Sequence, residues 1–172
     1  QYPIAISGFA GAQSAPLDVT AVIRGDLNRS GAFRLIDIEG PLAEGATLNF
    51  PDLRRRGADA VLTGSVNRLP DGRYDIRFRL NDAVRQTAIG GESLVVNESD
   101  LRYGAHRVAD WVYEKITGEK GIFSPRIAFV TRQGSRYRLN IADWDGENVV
   151  TPLNSPEPII SPSWSKDGSR LA

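Results

Sequence analysis

Cysteine is absent from this sequence, and so is methionine. The first absence excludes thiol catalysis, thiolate metal sites and a disulfide framework. It does not exclude an oxidising compartment, because a chain of 172 residues can bury a core without staples. Histidine occurs once, at His106, so no histidine cluster can hold a metal. No run of 18 apolar residues exists, so no helical membrane span is expected. The chain opens at Gln1 rather than on a methionine, and is expected to begin after processing or to lack an N-terminal segment. An excess of charge is missing too: 21 basic residues meet 21 acidic ones. Overall composition therefore carries no footprint of a nucleic-acid partner.

What is present reads as alternating elements. Tyr2 to Phe9 is a short apolar strand ended by a glycine-rich stretch. Asp18 caps a helix through Arg29, with Val19, Val22, Ile23 and Leu27 at helical spacing and Gly31 just beyond its end. Phe33 to Ile38 is a second strand, with Phe33 and Leu35 inward and Arg34 outward. A Gly- and Pro-rich loop over 39–51 precedes a short helix, Asp52 to Arg56, stopped by Gly57. Ala58 to Leu69 is a strand, and Pro70-Asp71-Gly72 a turn. Arg73 to Asn81 then alternates, with Tyr74, Ile76, Phe78 and Leu80 on one face and Asp75, Arg77 and Arg79 on the other. A further antiparallel strand is expected over Ala88 to Asn97. Ser99 to Thr117 is the strongest helix, with a stripe of Leu101, Ala105, Val108, Ala109, Val112 and Ile116. This order, β-α-β-α-β-β-β-α, predicts an α/β domain with a mixed sheet over residues 1–120.

After Gly121 helical spacing disappears. Arg126 to Thr131, Tyr137 to Ala142 and Asn148 to Leu153 are strands separated by Gly134-Ser135 and Asp143-Trp144-Asp145-Gly146. Short strands at this spacing predict a sandwich, barrel or propeller over 121–172. The last residues read as part of a strand, so this second domain is expected to be incomplete.

Candidate chemistry is sparse. Gly-x-Ser-x-Gly is absent, and Gly64-Ser65 and Gly134-Ser135 fall in a strand and a turn. His106 is read on the solvent side of the long helix, as a surface pair with Asp110 four residues on rather than a metal ligand. Asp143-Trp144-Asp145-Gly146 fails as a calcium loop, since Asn148 and Asn154 stand where glycine and glutamate are required. Gly8-Phe9-Ala10-Gly11 precedes a helix but lacks phosphate-loop spacing, and reads as a strand-ending turn. Arg54-Arg55-Arg56, flanked by Asp52 and Asp59, is a solvated helix face rather than a phosphate site. Trp111 is read as core or interface filler. Trp144, in a turn, is the better candidate for an aromatic partner anchor. No catalytic, cofactor-binding or metal residue is assigned, no cofactor is expected, and the partner-binding residues are unknown.

Ser161, Pro162, Trp164, Ser165, Asp167 and Gly168 resemble the Ser-Pro-x-Trp-Ser-Pro-Asp-Gly repeat of TolB-like β-propellers, with Lys166 where proline is usual. The order of parts sharpens this. Pro3-Ile4-Ala5-Ile6-Ser7-Gly8-Phe9, Arg24-Gly25-Asp26-Leu27, Ser30-Gly31-Ala32-Phe33, Leu101-Arg102-Tyr103-Gly104-Ala105-His106 and Ile116-Thr117-Gly118 are each similar to the TolB family. So is the continuation through Gly121-Ile122-Phe123 into Arg126-Ile127-Ala128-Phe129-Val130. The resemblance implies a periplasmic, non-enzymatic scaffold of the Tol-Pal system. It implies an α/β domain joined to a β-propeller that binds the lipoprotein Pal, and a flexible N-terminal segment that binds TolA. It further implies roles in outer-membrane integrity and cell division, exploitation by colicins, a monomer, and contact with the membrane through partners alone. Read without its tail, the α/β domain would suit a nucleotide- or RNA-binding module, against which the balanced charge argues. A propeller-bearing peptidase lacks its nucleophile.

Overall fold

Tyr2–Ile6 forms β1, and Val19–Arg29 forms α1, whose first turn is capped by Asp18 accepting from the Ala21 N–H at 3.0 Å. Helix α1 carries the chain back to β2, Phe33–Ile36, which lies parallel to β1 with Tyr2 opposite Phe33 and Ile4 opposite Leu35. Parallel neighbours need such a crossover. Phe50–Arg55 is α2, capped by the Asn49 side chain on the Asp52 N–H. It delivers the chain to β3, Ala60–Arg68, which joins the other side of β1 in parallel. β4, Tyr74–Asp82, and β5, Thr87–Val96, continue as an antiparallel meander. The sheet order is β2-β1-β3-β4-β5, and α3, Leu101–Thr117, follows and closes on Gly118.

These bounds trim the sequence reading at element ends. β2 stops at Ile36, α2 begins two residues earlier than expected, and Glu98–Asp100 forms a 3-10 turn ahead of α3. Ile116 is half-buried rather than core, because it lies in the last turn of its helix.

The computed structural model describes residues 1–172 and divides into two compact units, Gln1–Gly121 and Ile122–Ala172. In the first, Tyr74, Ile76, Phe78 and Leu80 of β4 are buried as their alternation predicts. Side chains of this kind each contribute about 1.5–3 kcal/mol by leaving water. Helix α3 packs on this face: a Cβ at Gly104 would sit 2.8 Å from Ile76 Cδ1, and Trp111 meets Phe78 edge-on at 5.2 Å. Its other flank lies against α1. The opposite sheet face is covered by α2 and its approach, where Leu53, Ala58, Val61, Ala5, Ile36 and Ala83 form a second cluster.

The second unit is an antiparallel sheet of β6, Arg126–Gln133, β7, Arg136–Asp143, and β8, Val150–Ser155, in that order. Beyond it Trp164 bridges Leu171, with paired hydrogen bonds between Ser163 and Ala172.

Gly64 marks a close contact between β3, β4 and the segment after β1. A Cβ there would fall 2.5 Å from both the Phe9 ring and the Arg77 carbonyl oxygen. Gly64→Ala is expected to cost about 1–3 kcal/mol, the usual range for overpacking, read as a lower urea midpoint at unchanged m-value.

Candidate functional site

Strand β1 has parallel neighbours on both sides, reached by connections that leave in opposite directions. In open α/β sheets the crevice beyond the carboxyl end of such a strand is the favoured ligand position. A cleft of about 920 Å³ lies there, lined by Ile6, Gly8 and Phe9 after β1, Ile38 and Pro41 after β2, and Thr20 and Arg24 of α1.

Several polar groups around this cleft are already engaged. The Phe9 N–H donates to Thr20 Oγ1 at 3.0 Å, the Ala10 N–H to the Gly64 carbonyl and the Ala12 N–H to the Phe9 carbonyl. Arg24 donates to the Ile6 carbonyl at 3.1 Å and pairs with Asp37. Asp18 occupies the start of α1 with its own carboxylate. A phosphate would find these donors spoken for, and Gly8-Phe9-Ala10-Gly11 is a strand-ending turn that bridges Ala10 to Ser65 of β3. Ser7 directs its hydroxyl at the Leu42 and Leu62 carbonyls, away from any base. The cleft's two charged side chains, Asp18 and Arg24, are committed to the α1 cap and to Asp37.

His106 requires a correction. It is 1% exposed rather than on the solvent side of its helix, and its Nδ1 lies 2.6 Å from Oδ2 of Asp26, which is fully buried. The partner given to this nitrogen is therefore on α1, not Asp110. The physical reason is the width of the buried arc. Helix α3 meets the sheet on one flank and α1 on the other, so positions beside the apolar stripe are also covered. Arg29 approaches the other Asp26 oxygen at 3.8 Å, one turn along α1. Asp26, eighty positions from His106 in sequence, carried no signal that would have paired the two.

The arginine cluster is neutralised locally, as its flanking acids suggest. Arg54 pairs with Asp59, while Arg55 and Arg56 share Asp52. Trp111 is half-buried on Phe78 and donates from its indole N–H to Glu92 at 2.7 Å.

In the second unit, Asp143-Trp144-Asp145-Gly146 closes β7 as a turn. The Asp143 N–H bonds the Glu147 carbonyl, and Asp145 accepts from the Glu147 N–H. Trp144 is half-buried and packs its ring 5.2 Å from that of fully buried Phe123. The Trp-Ser-Lys-Asp-Gly stretch is built around Asp167, whose carboxylate accepts from Ser165 Oγ at 2.6 Å, Ser169 Oγ at 2.8 Å and the Ser169 N–H at 3.1 Å. These bonds, the Ser165 hydroxyl first, lower its pKa from 3.8 to about 2. Arg126 stacks over the Trp164 ring at 5.7 Å.

With this geometry in place, comparison with known proteins is specific. Residues 1–89 match the family described as the TolB amino-terminal domain, and residues 113–172 match the TolB beta propeller domain. A Tol-Pal system protein TolB from Albidiferax ferrireducens is 53% identical over 173 residues, covering 100% of this chain and 41% of the relative. One from Polaromonas naphthalenivorans is 54% identical over 175 residues, covering 100% of this chain and 40% of the relative. The crystal structure of TolB from Acinetobacter baumannii superposes with a TM-score of 0.82 at 34% identity, over 99% of this chain and 43% of that one. The chain thus spans about two fifths of the length of the curated relatives it matches.

Two outcomes are expected. His106→Ala strips Asp26 of a buried partner and opens a cavity, at a cost of about 2–4 kcal/mol in chemical denaturation. A double-mutant cycle with Asp26→Ala should return a coupling well above zero; additive losses would show that the pair does not act as one. Asp167, with its folded pKa below the unfolded one, stabilises the turn above pH 3.8, and that contribution is lost as pH falls through about 2. Carboxyl NMR should find its midpoint near 2, moving toward 3.8 in Ser169→Ala.

Proposed function

Because the chain belongs to the TolB family, we propose that it serves the cell-envelope Tol-Pal system as a non-enzymatic periplasmic scaffold, in a protein that joins Pal and TolA. The observation that carries the reading is the joint match: an α/β unit followed directly by the Trp-Ser-Lys-Asp-Gly repeat, related along its whole length to proteins named for that system. Residues 1–120 are assigned to the N-terminal domain and 121–172 to the start of the propeller.

The side-chain chemistry supports association over catalysis. The cleft beyond β1 holds no nucleophile beside a base, and the single histidine lies in a buried contact between two helices. No helix is long and apolar enough to cross a membrane. In the second unit Ile127, Phe129, Val150 and Leu153 are exposed large hydrophobics on strands. Propeller blades cover such faces with their neighbours.

Outer-membrane integrity and cell division follow as the processes served. Colicins are the partners expected to exploit the same surfaces. Trp144 is the aromatic assigned as anchor if a partner reaches the first blade.

The test uses a protein of the relatives' length that carries this chain. Calorimetric titration should give saturable binding of Pal and of TolA, with each ligand changing the affinity for the other by the same factor. Binding of neither ligand would overturn the reading, and binding of both with no mutual effect would remove the coupling between them.

A further inference from the structure

Strand β5 ends the five-stranded sheet, so one side of its backbone ladder faces no neighbouring strand. It is ten residues long, Thr-Ala-Ile-Gly-Gly-Glu-Ser-Leu-Val-Val, and contains none of the lysine, arginine or proline that usually guards such an edge. We propose that this edge docks an extended acidic peptide, which adds as a sixth strand with a carboxylate directed at Arg79.

The pairing across β4 and β5 carries the choice of partner. Arg79 stands opposite Gly91, and Arg77 opposite Ser93, all on the sheet face away from α3. Arg77 is tied to Asp75 at 2.7 Å. Arg79 is exposed and has no carboxylate partner. Neighbouring strands lie about 4.8 Å apart. A guanidinium on β4 therefore reaches an added strand only if β5 places little in between. Gly91 places nothing there, and it cannot be enlarged, because a Cβ would meet the Phe78 carbonyl oxygen at 2.4 Å. The result is a hollow of about 400 Å³ between the two arginines, Gly91, Ser93 and Glu44.

Glu44 also lines the hollow and limits where the acid can sit, since a second carboxylate beside it is unfavourable; the occupant's carboxylate is seated at Arg79, across from Gly91. Glu92, the one acid on β5, points to the other face, where it accepts from Trp111. A second copy of β5 would bring glycine, serine and valine opposite these arginines, with no acid, so self-pairing leaves Arg79 unanswered. The proposal does not depend on which Tol-Pal partners the chain meets.

The experiment takes the whole chain and two blocked ten-residue peptides, one alternating valine with glutamate and one alternating valine with lysine. Binding is read by fluorescence anisotropy, and location by amide hydrogen exchange. The glutamate peptide should bind the native chain and slow exchange across residues 87–96. Its Kd should rise tenfold or more in Arg79→Glu, and less in the neutral Arg79→Ser. The lysine peptide should bind Arg79→Glu and not the native chain. No binding, equal binding of both peptides, an unchanged Kd in Arg79→Glu, or protection elsewhere would each overturn the proposal.

Discussion

Helix α3 has to satisfy two surfaces at once, and much of the first unit is arranged around that demand. Toward the sheet it offers Gly104, which lets the helix approach Ile76 closely, and Trp111, which covers Phe78. Toward α1 it offers His106, bonded to Asp26 with both side chains buried. A polar contact at a helix–helix seam is a poor source of net stability and a good source of register, because any slip leaves its members unsatisfied. Tyr113, one to two turns further along α3, meets Phe33 of β2 at 6.1 Å and extends the same seam to the sheet edge. The seam thus fixes α1, and through it the cleft above β1, whose wall α1 supplies.

The elements were legible wherever one periodicity dominated. The alternation of Tyr74, Ile76, Phe78 and Leu80 needed only β4's own side chains, and the stripe on α3 needed only helical spacing. Asp18 and Gly31 bracket α1 as capping chemistry predicts. His106 was misplaced because the stripe on its helix describes a contact with one surface, whereas the second surface belongs to a helix eighty positions away. Nothing in the residues around His106 announces Asp26. The cleft was likewise invisible, since it arises where two loops meet helix α1, and several of its donors are consumed by backbone carbonyls and Thr20.

The repeat in the second unit was legible for another reason. Asp167 with Ser165 and Ser169 is a self-contained device: three donors within two residues organise one carboxylate, and Trp164 follows from the turn they make. Local hydrogen bonding of this kind needs no partner distant in sequence, so a short stretch of sequence can carry it. The open side of β5 has no such signature. It is defined by a neighbour that is missing and by a glycine whose importance lies in what stands behind it.

The strand order also sets a timetable for folding. β3, β4 and β5 are joined by short turns and can zip as a local meander. β1 cannot: Ile4 waits for Ala60 on one side and Leu35 on the other. Closing those longer loops carries the larger entropic cost, so β1 and its β2 side of the sheet are expected to join after the meander. Until then the apolar side chains of Ile4, Ala5 and Ile6 have nowhere to go, which makes β1 the part of this unit most in need of protection during folding.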